Sequence, residues 1–382
     1  MTRPVVYLQG SIQSLRFNGQ PANLPIYDWG EFDINTARPA CKICLPDGAE
    51  IAVSKWTGPK RTRTYPLAKV YDTYSHSGKV VTVIPILKDE GRGERENDTN
   101  LDRVNFITLS WMNLMGVYVI LAWYCDADKK DAYRITHQRL DNSYVRQKIE
   151  DIARYKMDAH HWNRDHFVQE FISIYEKALQ SYKEISQRLG VAMHGQDEQF
   201  RFLDRVRSAA NPHELDLAKY AEHSLSASER AALRETITEH QLEHAQSASA
   251  KGFFEIRNYL GGIYYLTVDE VIFENNNRII IQESKNSTRH TLPSLNDIKD
   301  GLFKLLLFSQ IQELRRDDVS LQFRVRLRLT GAFEGTLSLP TESRNIEAFT
   351  ANWKESACRN VLWLNEELAR LCIEGILEGN DG

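Results

Sequence analysis

The sequence has no long hydrophobic run, and this absence argues against a membrane-spanning helix. The best candidate, Leu114 to Tyr124, is eleven residues long, whereas a helix that crosses a bilayer needs about 20 apolar residues. The first residues, MTRPVVYLQGS, lack the apolar core and the small-residue cleavage site of a secretory signal. We therefore predict a cytoplasmic protein with no membrane partner.

Cysteine, glycine and proline are also scarce. The five cysteines are an odd number and are scattered, apart from the pair Cys41 and Cys44, which favours reduced thiols over a disulfide framework. No second C-x-x-C pair and no paired histidines follow at a suitable distance, so two ordinary thiols are favoured over half of a zinc site. With only 20 Gly and 11 Pro in 382 residues, the composition leans toward helix.

An excess of positive charge is absent as well. The 48 Lys and Arg residues are outnumbered by 52 Asp and Glu residues, which gives a formal net charge of −4. The total charge therefore does not indicate a nucleic-acid partner, although phosphate contacts need only a local basic patch. The composition, 42% hydrophobic and 26% charged, is typical of soluble globular domains, and the length allows two or three of them.

The most informative stretch that is present runs from Tyr264 to Ser287. Two runs rich in Ile, Val, Tyr and Phe, from Tyr264 to Phe273 and from Arg278 to Gln282, flank the turn-forming residues Glu274 to Asn277. This pattern predicts a β-hairpin. The second run is apolar at three consecutive positions, Ile279 to Ile281, which indicates a strand buried on both faces within a sheet.

Charged residues follow directly on this buried strand. Glu283 and Lys285 are two positions apart, so their side chains leave the same face of the strand, and a hairpin would bring Asp269 alongside them. Two carboxylates can bind a hard divalent cation such as Mg²⁺, and a neighbouring ammonium can orient or deprotonate an attacking water. These residue types therefore indicate phosphodiester hydrolysis at a metal site.

Asp269, a gap of thirteen residues and the triplet Glu283-Ser284-Lys285 resemble the PD-(D/E)XK nuclease superfamily. The resemblance covers roughly residues 250 to 310. It implies a mixed sheet flanked by helices, with Asp269 and Glu283 as Mg²⁺ ligands and Lys285 as the residue that positions or activates water. Val268 stands where the family pattern has proline, which leaves open whether Asp269 or Glu270 is the main ligand.

The resemblance also implies a further acidic ligand and a substrate. Nucleases of this superfamily often place an acid on the helix before the first catalytic strand, and Glu255 in the stretch KGFFEIR is the candidate here. The implied activity is that of a Mg²⁺-dependent endonuclease acting on double-stranded DNA, of the restriction or phage-defence kind. The alternative is a nucleic-acid-binding or assembly protein without hydrolysis, in which Glu283 and Lys285 form a surface salt bridge.

A second acid-to-lysine spacing lies in the N-terminal part of the chain. Asp72 and Lys88 are separated by the same number of residues as the acid and the lysine of the first site. An apolar run again precedes the lysine, but Ile86 stands where the first site has its glutamate. The second site is therefore complete only if Asp89 or Glu90 acts as a ligand.

Two groups of basic residues are candidates for contacts with DNA. The first is interleaved with the aromatic residues Trp56 and Tyr65, which suit stacking on bases. The second occupies the polar face of an alternating strand and suits a phosphate backbone. The candidates are Lys55, Lys60, Arg61 and Arg63 in the first group and Arg324, Arg326 and Arg328 in the second. An exposed loop and an exposed sheet face are the alternative interpretations.

Three regions are predicted along the chain, and together they give an α/β (α+β) fold. Residues 1–125 are predicted to be β-rich and to assist in DNA recognition, and residues 126–248 to be helical. Residues 249–382 are predicted to form the nuclease-like domain, with a mixed β-sheet flanked by helices.

Apolar residues at three- and four-residue intervals predict the individual helices. One runs from about His166 to Leu189 and ends at Gly190, and a second is capped by Ser226 or Ser228. The tail from Glu347 to Leu377 is predicted to be one long amphipathic helix, which would close the domain or form a homodimer.

Overall fold

The structure of the chain, a computed structural model, describes residues 5–13, 15, 17, 19–59, 68–93, 101–238, 249–259 and 262–379. Helices and strands are interspersed along these residues, and the sheets contain both parallel and antiparallel neighbours. The predicted α/β class is therefore confirmed. Within the described ranges, no helix is both long enough and apolar enough to cross a bilayer.

The strands are β1 (Val5–Ile12), β2 (Ile26–Asp28), β3 (Ala40–Cys44), β4 (Glu50–Lys55), β5 (Lys79–Pro85), β6 (Leu87–Asp89), β7 (Leu101–Arg103), β8 (Tyr118–Ala122), β9 (Tyr124–Lys129), β10 (Ile135–Leu140), β11 (Ser249–Asn258), β12 (Ile263–Asn275), β13 (Arg278–Asn286), β14 (Glu313–Arg316), β15 (Val319–Ser320), β16 (Gln322–Gly331), β17 (Thr336–Leu339) and β18 (Glu374–Gly379). The helices are α1 (Ala68–Tyr74), α2 (Phe106–Met115), α3 (Asn142–Arg154), α4 (Ala159–Leu189), α5 (Asp197–Val206), α6 (Leu217–Thr238), α7 (Leu295–Ser309), α8 (Ser343–Phe349) and α9 (Glu355–Leu371).

The described residues fall into two compact units. Unit one contains those of Met1–Ala22, Thr64–Tyr71 and Glu229–Gly382, and unit two contains those of Asn23–Arg63 and Asp72–Ser228. This division differs from the three predicted regions, because the first strand of the chain and part of α1 belong with the C-terminal residues. Local patterns do not show such pairing between distant segments.

The N-terminal segments are built into unit one by strand pairing and by a buried acid. Strand β1 lies parallel to β11, with Val5 opposite Lys251. Glu367 of α9 is fully buried, and its carboxylate accepts hydrogen bonds from the Tyr71 hydroxyl and, at 2.9 Å, from the N–H of Gln20. Unit one is therefore incomplete without the beginning of the chain.

A nine-stranded sheet forms the centre of unit one. Its order is β15-β14-β1-β11-β12-β13-β16-β18-β17. Strands β12 and β13 are antiparallel, with Glu270 opposite Gln282, so the predicted hairpin is confirmed. Strands β13, β16 and β18 are parallel to one another. The strand Gln322–Gly331 therefore lies beside the hairpin, and its Val325, Leu327 and Leu329 are buried as the alternation predicts.

Helix α7 covers one face of this sheet. The ring of Phe308 lies 4.6 Å from that of Phe254 on β11, centroid to centroid, and a Cβ at Gly301 would lie 3.0 Å from Leu327 Cδ1 on β16. The helix starts after Ser294, whose side chain accepts the N–H of Asp297. The side chains of β13 that point toward α7 are therefore enclosed between sheet and helix.

Unit two contains a five-stranded sheet in the order β2-β3-β4-β5-β8, with α4 against β8. The indole of Trp162 donates to Val119 O at 2.9 Å, and His166 Nε2 accepts the N–H of Leu121 at 2.9 Å. Asp158 caps the start of α4, and Gly190 ends the helix in the left-handed conformation. The predicted helix and its end are confirmed, although the helix begins at Ala159, before the predicted start near His166.

Two helix predictions are wrong. The tail is not one helix, because α9 ends at the left-handed residue Cys372 (φ 55°) and the chain continues as β18. The buried side chains of α9 include Leu368, which lies against Gly375 of β18, so this part of the apolar face is used within the chain. Ser226 and Ser228 lie inside α6, which begins at Leu217, and therefore do not start a helix.

Candidate active site

The two strands of the hairpin separate near the end of β13, and a carboxylate fills the gap. Their ladder runs from Asn275 opposite Arg278 to Glu270 opposite Gln282. One residue further along, Asp269 Oδ2 accepts the N–H of Ser284 at 2.7 Å. This side chain therefore replaces a main-chain partner and is fixed between the strands.

Glu283 is the most enclosed member of the predicted triplet. Its side chain is 3% exposed and accepts hydrogen bonds from two ammonium groups: Lys285 Nζ lies 3.0 Å from Oε1, and Lys304 Nζ lies 2.7 Å from Oε2. The side chain of Lys304 is 7% exposed, and that of Lys285 is 22% exposed. Of these two lysines, Lys285 is the one with appreciable access to solvent.

Lys304 was not among the predicted site residues. It lies in the middle of α7, in the apolar run GLFKLLLF. Residues 302, 303, 305 and 306 around it are buried as well. A lysine at a buried position of an otherwise apolar helix needs a partner, and this is the signal in the sequence that could have found it.

A glycine on α7 makes room for the lysine of the triplet. A Cβ at Gly301 would lie 3.2 Å from Lys285 Cε and 3.5 Å from its Cγ, so the lysine stem passes directly over this position. Gly301 and Lys304 are three residues apart and therefore share one face of the helix. Lys285 from β13 and Lys304 from α7 thus converge on Glu283 from two elements.

The two carboxyl groups of the site have opposite pKa shifts. Burial and the negative charge of Glu283 raise the pKa of Asp269 to about 6, against the effect of the two lysines. Burial alone would raise the pKa of Glu283 too, but the ammonium groups of Lys304 and Lys285 outweigh it and hold that pKa below its ordinary value. Glu283 is therefore a stable carboxylate, whereas the charged form of Asp269 is disfavoured.

The structure distinguishes Asp269 from Glu270, a choice that the sequence left open. Glu270 accepts a hydrogen bond from the Gln282 side chain, and Gln282 lies on the opposite face of β13 from Glu283 because the two are adjacent in a strand. Asp269, in contrast, is influenced by the charges of Glu283 and both lysines. Asp269 is therefore the acid that belongs to the cluster.

The structure does not bring Glu255 to this cluster. Glu255 lies on strand β11 and not on a helix, next to Phe254, which points toward α7. Its side chain accordingly faces away from α7 and accepts from Arg257 at 2.7 Å. In the part of the chain that the structure describes, no three or more His, Cys, Asp or Glu side chains are grouped to hold a metal ion. The predicted ligand set of three acids is therefore not assembled.

The two remaining carboxylates suit Mg²⁺, which is often held by one or two carboxylates together with water and substrate phosphates. Asp269 Oδ2 is occupied by Ser284, and Oδ1 accepts no hydrogen bond from a described residue. The pKa of Asp269 is raised by burial first and by the negative charge of Glu283 second, and a nearby cation would favour the charged carboxylate against both. Asp269 and Glu283 would hold such an ion.

The predicted arginine row on β16 is matched by acids. Arg324 pairs with Glu274 and Glu374, Arg326 also pairs with Glu374, and Arg328 pairs with Glu378. Three arginines thus face three glutamates. Contact with a phosphate backbone would require these pairs to open.

The first basic group is only partly described. Lys60, Arg61 and Arg63 lie outside the described residues. Lys55 donates to main-chain oxygens of Ile34, Asn35 and Ala37 at 2.5, 3.3 and 3.3 Å. Its ammonium therefore anchors a loop of unit two, which is a structural role that the sequence did not indicate.

The second predicted site has a different chemistry. Lys88 pairs with Glu90 at 2.5 Å in a partly exposed salt bridge. Asp89 is buried, and its carboxylate accepts the N–H groups of Gly91 at 2.8 Å and His194 at 3.2 Å and lies 2.7 Å from His194 Nδ1. Asp72 is on α1. These contacts use Asp89 to hold loops together, and they involve His194, which the sequence did not point to.

Comparisons with known proteins found no match to this chain among protein-family models, curated proteins or solved structures.

Proposed function

We propose that this protein is a Mg²⁺-dependent endodeoxyribonuclease with its active site in unit one. The observation that supports the proposal is the convergence of Asp269, Glu283 and Lys285 where β12 and β13 separate. Two neighbouring carboxylates with a lysine beside them suit metal-assisted hydrolysis of a phosphodiester. The resemblance to PD-(D/E)XK nucleases rests on the same three residues.

The side chains have separate tasks in this proposal. Asp269 and Glu283 would hold Mg²⁺, and a bound Mg²⁺ supplies polarisation of a phosphoryl oxygen. Lys285, held by Glu283 and partly exposed, would orient the attacking water and offset negative charge on the phosphate. The Ser284 N–H holds one oxygen of Asp269 between the strands, and the other oxygen would be the one that holds Mg²⁺.

Double-stranded DNA is the proposed substrate, and restriction or phage defence is the proposed role. Both follow from the resemblance and from the large part of the chain outside the site. A cytoplasmic location and a homodimer belong to the same proposal. Contacts with the phosphate backbone would come from residues other than Arg324, Arg326 and Arg328 unless DNA opens their ion pairs.

A cleavage assay tests the assignment. The protein is incubated with plasmid and phage DNA in Mg²⁺ or in EDTA, and wild type is compared with Lys285→Ala and with Lys88→Ala. We expect nicking or linearisation only with Mg²⁺, a loss of about 100-fold or more in Lys285→Ala, and wild-type rates in Lys88→Ala.

The same assay separates the alternatives. Loss of cleavage in a folded Lys88→Ala protein, with Lys285→Ala active, would transfer the site to Lys88, Asp89 and Glu90 in unit two. DNA binding in a mobility-shift assay without metal-dependent cleavage would favour the non-catalytic binding protein, in which Glu283 and Lys285 form only an ion pair.

A further inference from the structure

The buried ammonium of Lys304 is the feature of the site that the proposed reaction does not use. It lies on α7, is 7% exposed, and contacts Glu283 Oε2 at 2.7 Å. Glu283 already has Lys285 on its other oxygen at 3.0 Å. A second, more deeply buried cation on the same carboxylate requires a separate explanation.

Asp269, Glu283, Lys285 and Lys304 form what we call the charge cluster. With both carboxylates ionised its formal charge is zero, and Glu283 is almost completely enclosed. A divalent cation would bring the charge cluster to a formal charge of +2. Uncompensated charge in a buried site is strongly unfavourable, so the metal needs either a departing ammonium or an arriving anion. A phosphodiester is an anion that the proposed reaction supplies.

We propose that Lys304 is a positioning residue that acts as a built-in counter-ion of Glu283, so that a divalent metal binds weakly to the protein alone and tightly once a phosphodiester is present. This inference rests on the proposed function. It assigns Lys304 a role in the order of assembly: DNA and metal enter as a pair, and metal alone does not stably occupy the carboxylates. The protein without DNA therefore does not keep a metal ion bound at the site.

The electrostatic argument makes the effect of removing Lys304 predictable. Lys304→Met keeps most of the aliphatic stem and removes the positive charge, which leaves the charge cluster at −1. Metal binding in the absence of DNA should then tighten by at least about tenfold, because a unit charge within a few ångströms is removed from a poorly hydrated site. With the phosphodiester bound, its negative charge already offsets Lys304, so metal affinity should change less there, and the factor by which DNA tightens metal binding should fall.

The test measures Mn²⁺ binding by the electron paramagnetic resonance signal of free Mn²⁺. Each protein is titrated alone and with a mixed-sequence DNA duplex whose phosphorothioate linkages resist hydrolysis. The variants are Lys304→Met and, as a matched control, Lys299→Met. Lys299 lies on the same helix but over the ring of Trp363, so this variant makes the same change in total charge outside the charge cluster.

A second variant protects the test against misfolding. Lys304→Gln retains a hydrogen-bond donor for Glu283 without a charge, and the double variant Lys304→Met with Glu283→Gln removes both members of the buried pair. We expect tight Mn²⁺ binding to Lys304→Met or Lys304→Gln without DNA, and weak binding to wild type, to Lys299→Met and to the double variant.

The possible failures are distinguishable. Equal Mn²⁺ affinity of wild type and both Lys304 variants without DNA overturns the inference, and so does tight Mn²⁺ binding by wild type alone. If wild-type protein still cuts plasmid with Mg²⁺ in those cases, the proposed function stands. If no protein binds Mn²⁺ with the duplex and plasmid is not cut, both the inference and the proposed function are wrong.

Discussion

The two acid-to-lysine patterns of this chain have the same spacing and different surroundings. In unit one, Glu283 is enclosed by two lysines and lies beside Asp269, so that like and unlike charges are forced together. In unit two, Asp89 is satisfied mainly by main-chain N–H groups and by His194, while Lys88 pairs with a partly exposed acid. The position that corresponds to Glu283 is Ile86, which is fully buried.

This difference favours a catalytic role for the pattern in unit one and a structural role for the pattern in unit two. Asp89 is a buried acid whose carboxylate accepts the N–H groups of Gly91 and His194, and it therefore stabilises the loops that contain them. Asp269, in contrast, has a pKa raised by burial and by the charge of Glu283, and carboxyl groups with strongly perturbed pKa values are concentrated at functional sites. Spacing in the sequence cannot separate the two cases, because it does not show what surrounds each carboxylate.

The largest effect should come from Glu283→Gln. The substitution leaves Lys285 and Lys304 beside a neutral amide in a buried site, and removing one partner of a buried ion pair destabilises by about 3–5 kcal/mol. Cleavage should also be lost. Denaturant unfolding measures the first effect and the plasmid assay the second.

The double variant Glu283→Gln with Lys304→Met completes this comparison. It removes the unpaired ammonium of Lys304 together with the carboxylate of Glu283, so it should regain a large part of the lost stability. Cleavage should remain absent. If Glu283→Gln leaves the stability unchanged, the ion pairs with both lysines are not formed in solution.

Asp269→Asn should stabilise the protein at neutral pH. Burial and Glu283 raise the pKa of Asp269 from 3.8 to about 6, so between those pH values the folded state binds more protons than the unfolded state and wild-type stability falls as pH rises. Asparagine can still accept the Ser284 N–H, and because it does not ionise it adds no such pH dependence to the stability. The unfolding free energy of the variant relative to wild type should therefore increase by about 2–3 kcal/mol from pH 4 to pH 7.

The same titration should appear in the activity of wild type. Protonated Asp269 is a poor metal ligand, so cleavage should decline as pH falls through about 6. Asp269→Asn should be inactive at every pH. A stability difference that does not change between pH 4 and pH 7 would contradict the raised pKa.

Asp89→Asn tests the structural side of the comparison. The amide places an NH₂ donor where N–H groups of Gly91 and His194 already converge, so we expect a loss of about 1–3 kcal/mol of stability. Cleavage measured well below the unfolding temperature should stay at the wild-type level. Loss of cleavage in a folded Asp89→Asn protein would mean that unit two contains the active site.

Local periodicity in the sequence predicts the helices and strands around the site, but it does not predict which distant segments pack against them. Short sequence patterns are enough to predict three features: the hairpin, the alternating strand β16 and the end of α4 at Gly190. The insertion of β1 beside β11, the acids facing Arg324 and Arg328, and the change from α9 to β18 depend on segments far apart in the chain. Three-dimensional pairing, which propensity does not encode, decides these features.

The site shows the same limit at the level of single residues. Asp269, Glu283 and Lys285 could be proposed because they lie on one hairpin. Lys304 could have been suspected from its apolar neighbours, but its partner could not, because nothing in a helix pattern tells which strand residue it meets. The resemblance predicts Glu255 on a helix, whereas it lies on a strand and faces away from α7.

The smallest effect should come from Ser284→Ala. Ser284 lies between Glu283 and Lys285 in the chain. The Ser284 hydroxyl is buried and has no hydrogen-bond partner within the described part of the chain, whereas its main-chain N–H, which holds Asp269, survives the substitution. Stability should therefore change by less than about 1 kcal/mol and in the favourable direction, and plasmid cleavage should keep the wild-type rate. A large loss of activity would show that the hydroxyl, and not only the backbone at this position, takes part in the site, and Glu283 and Lys285 would no longer suffice to describe this end of β13.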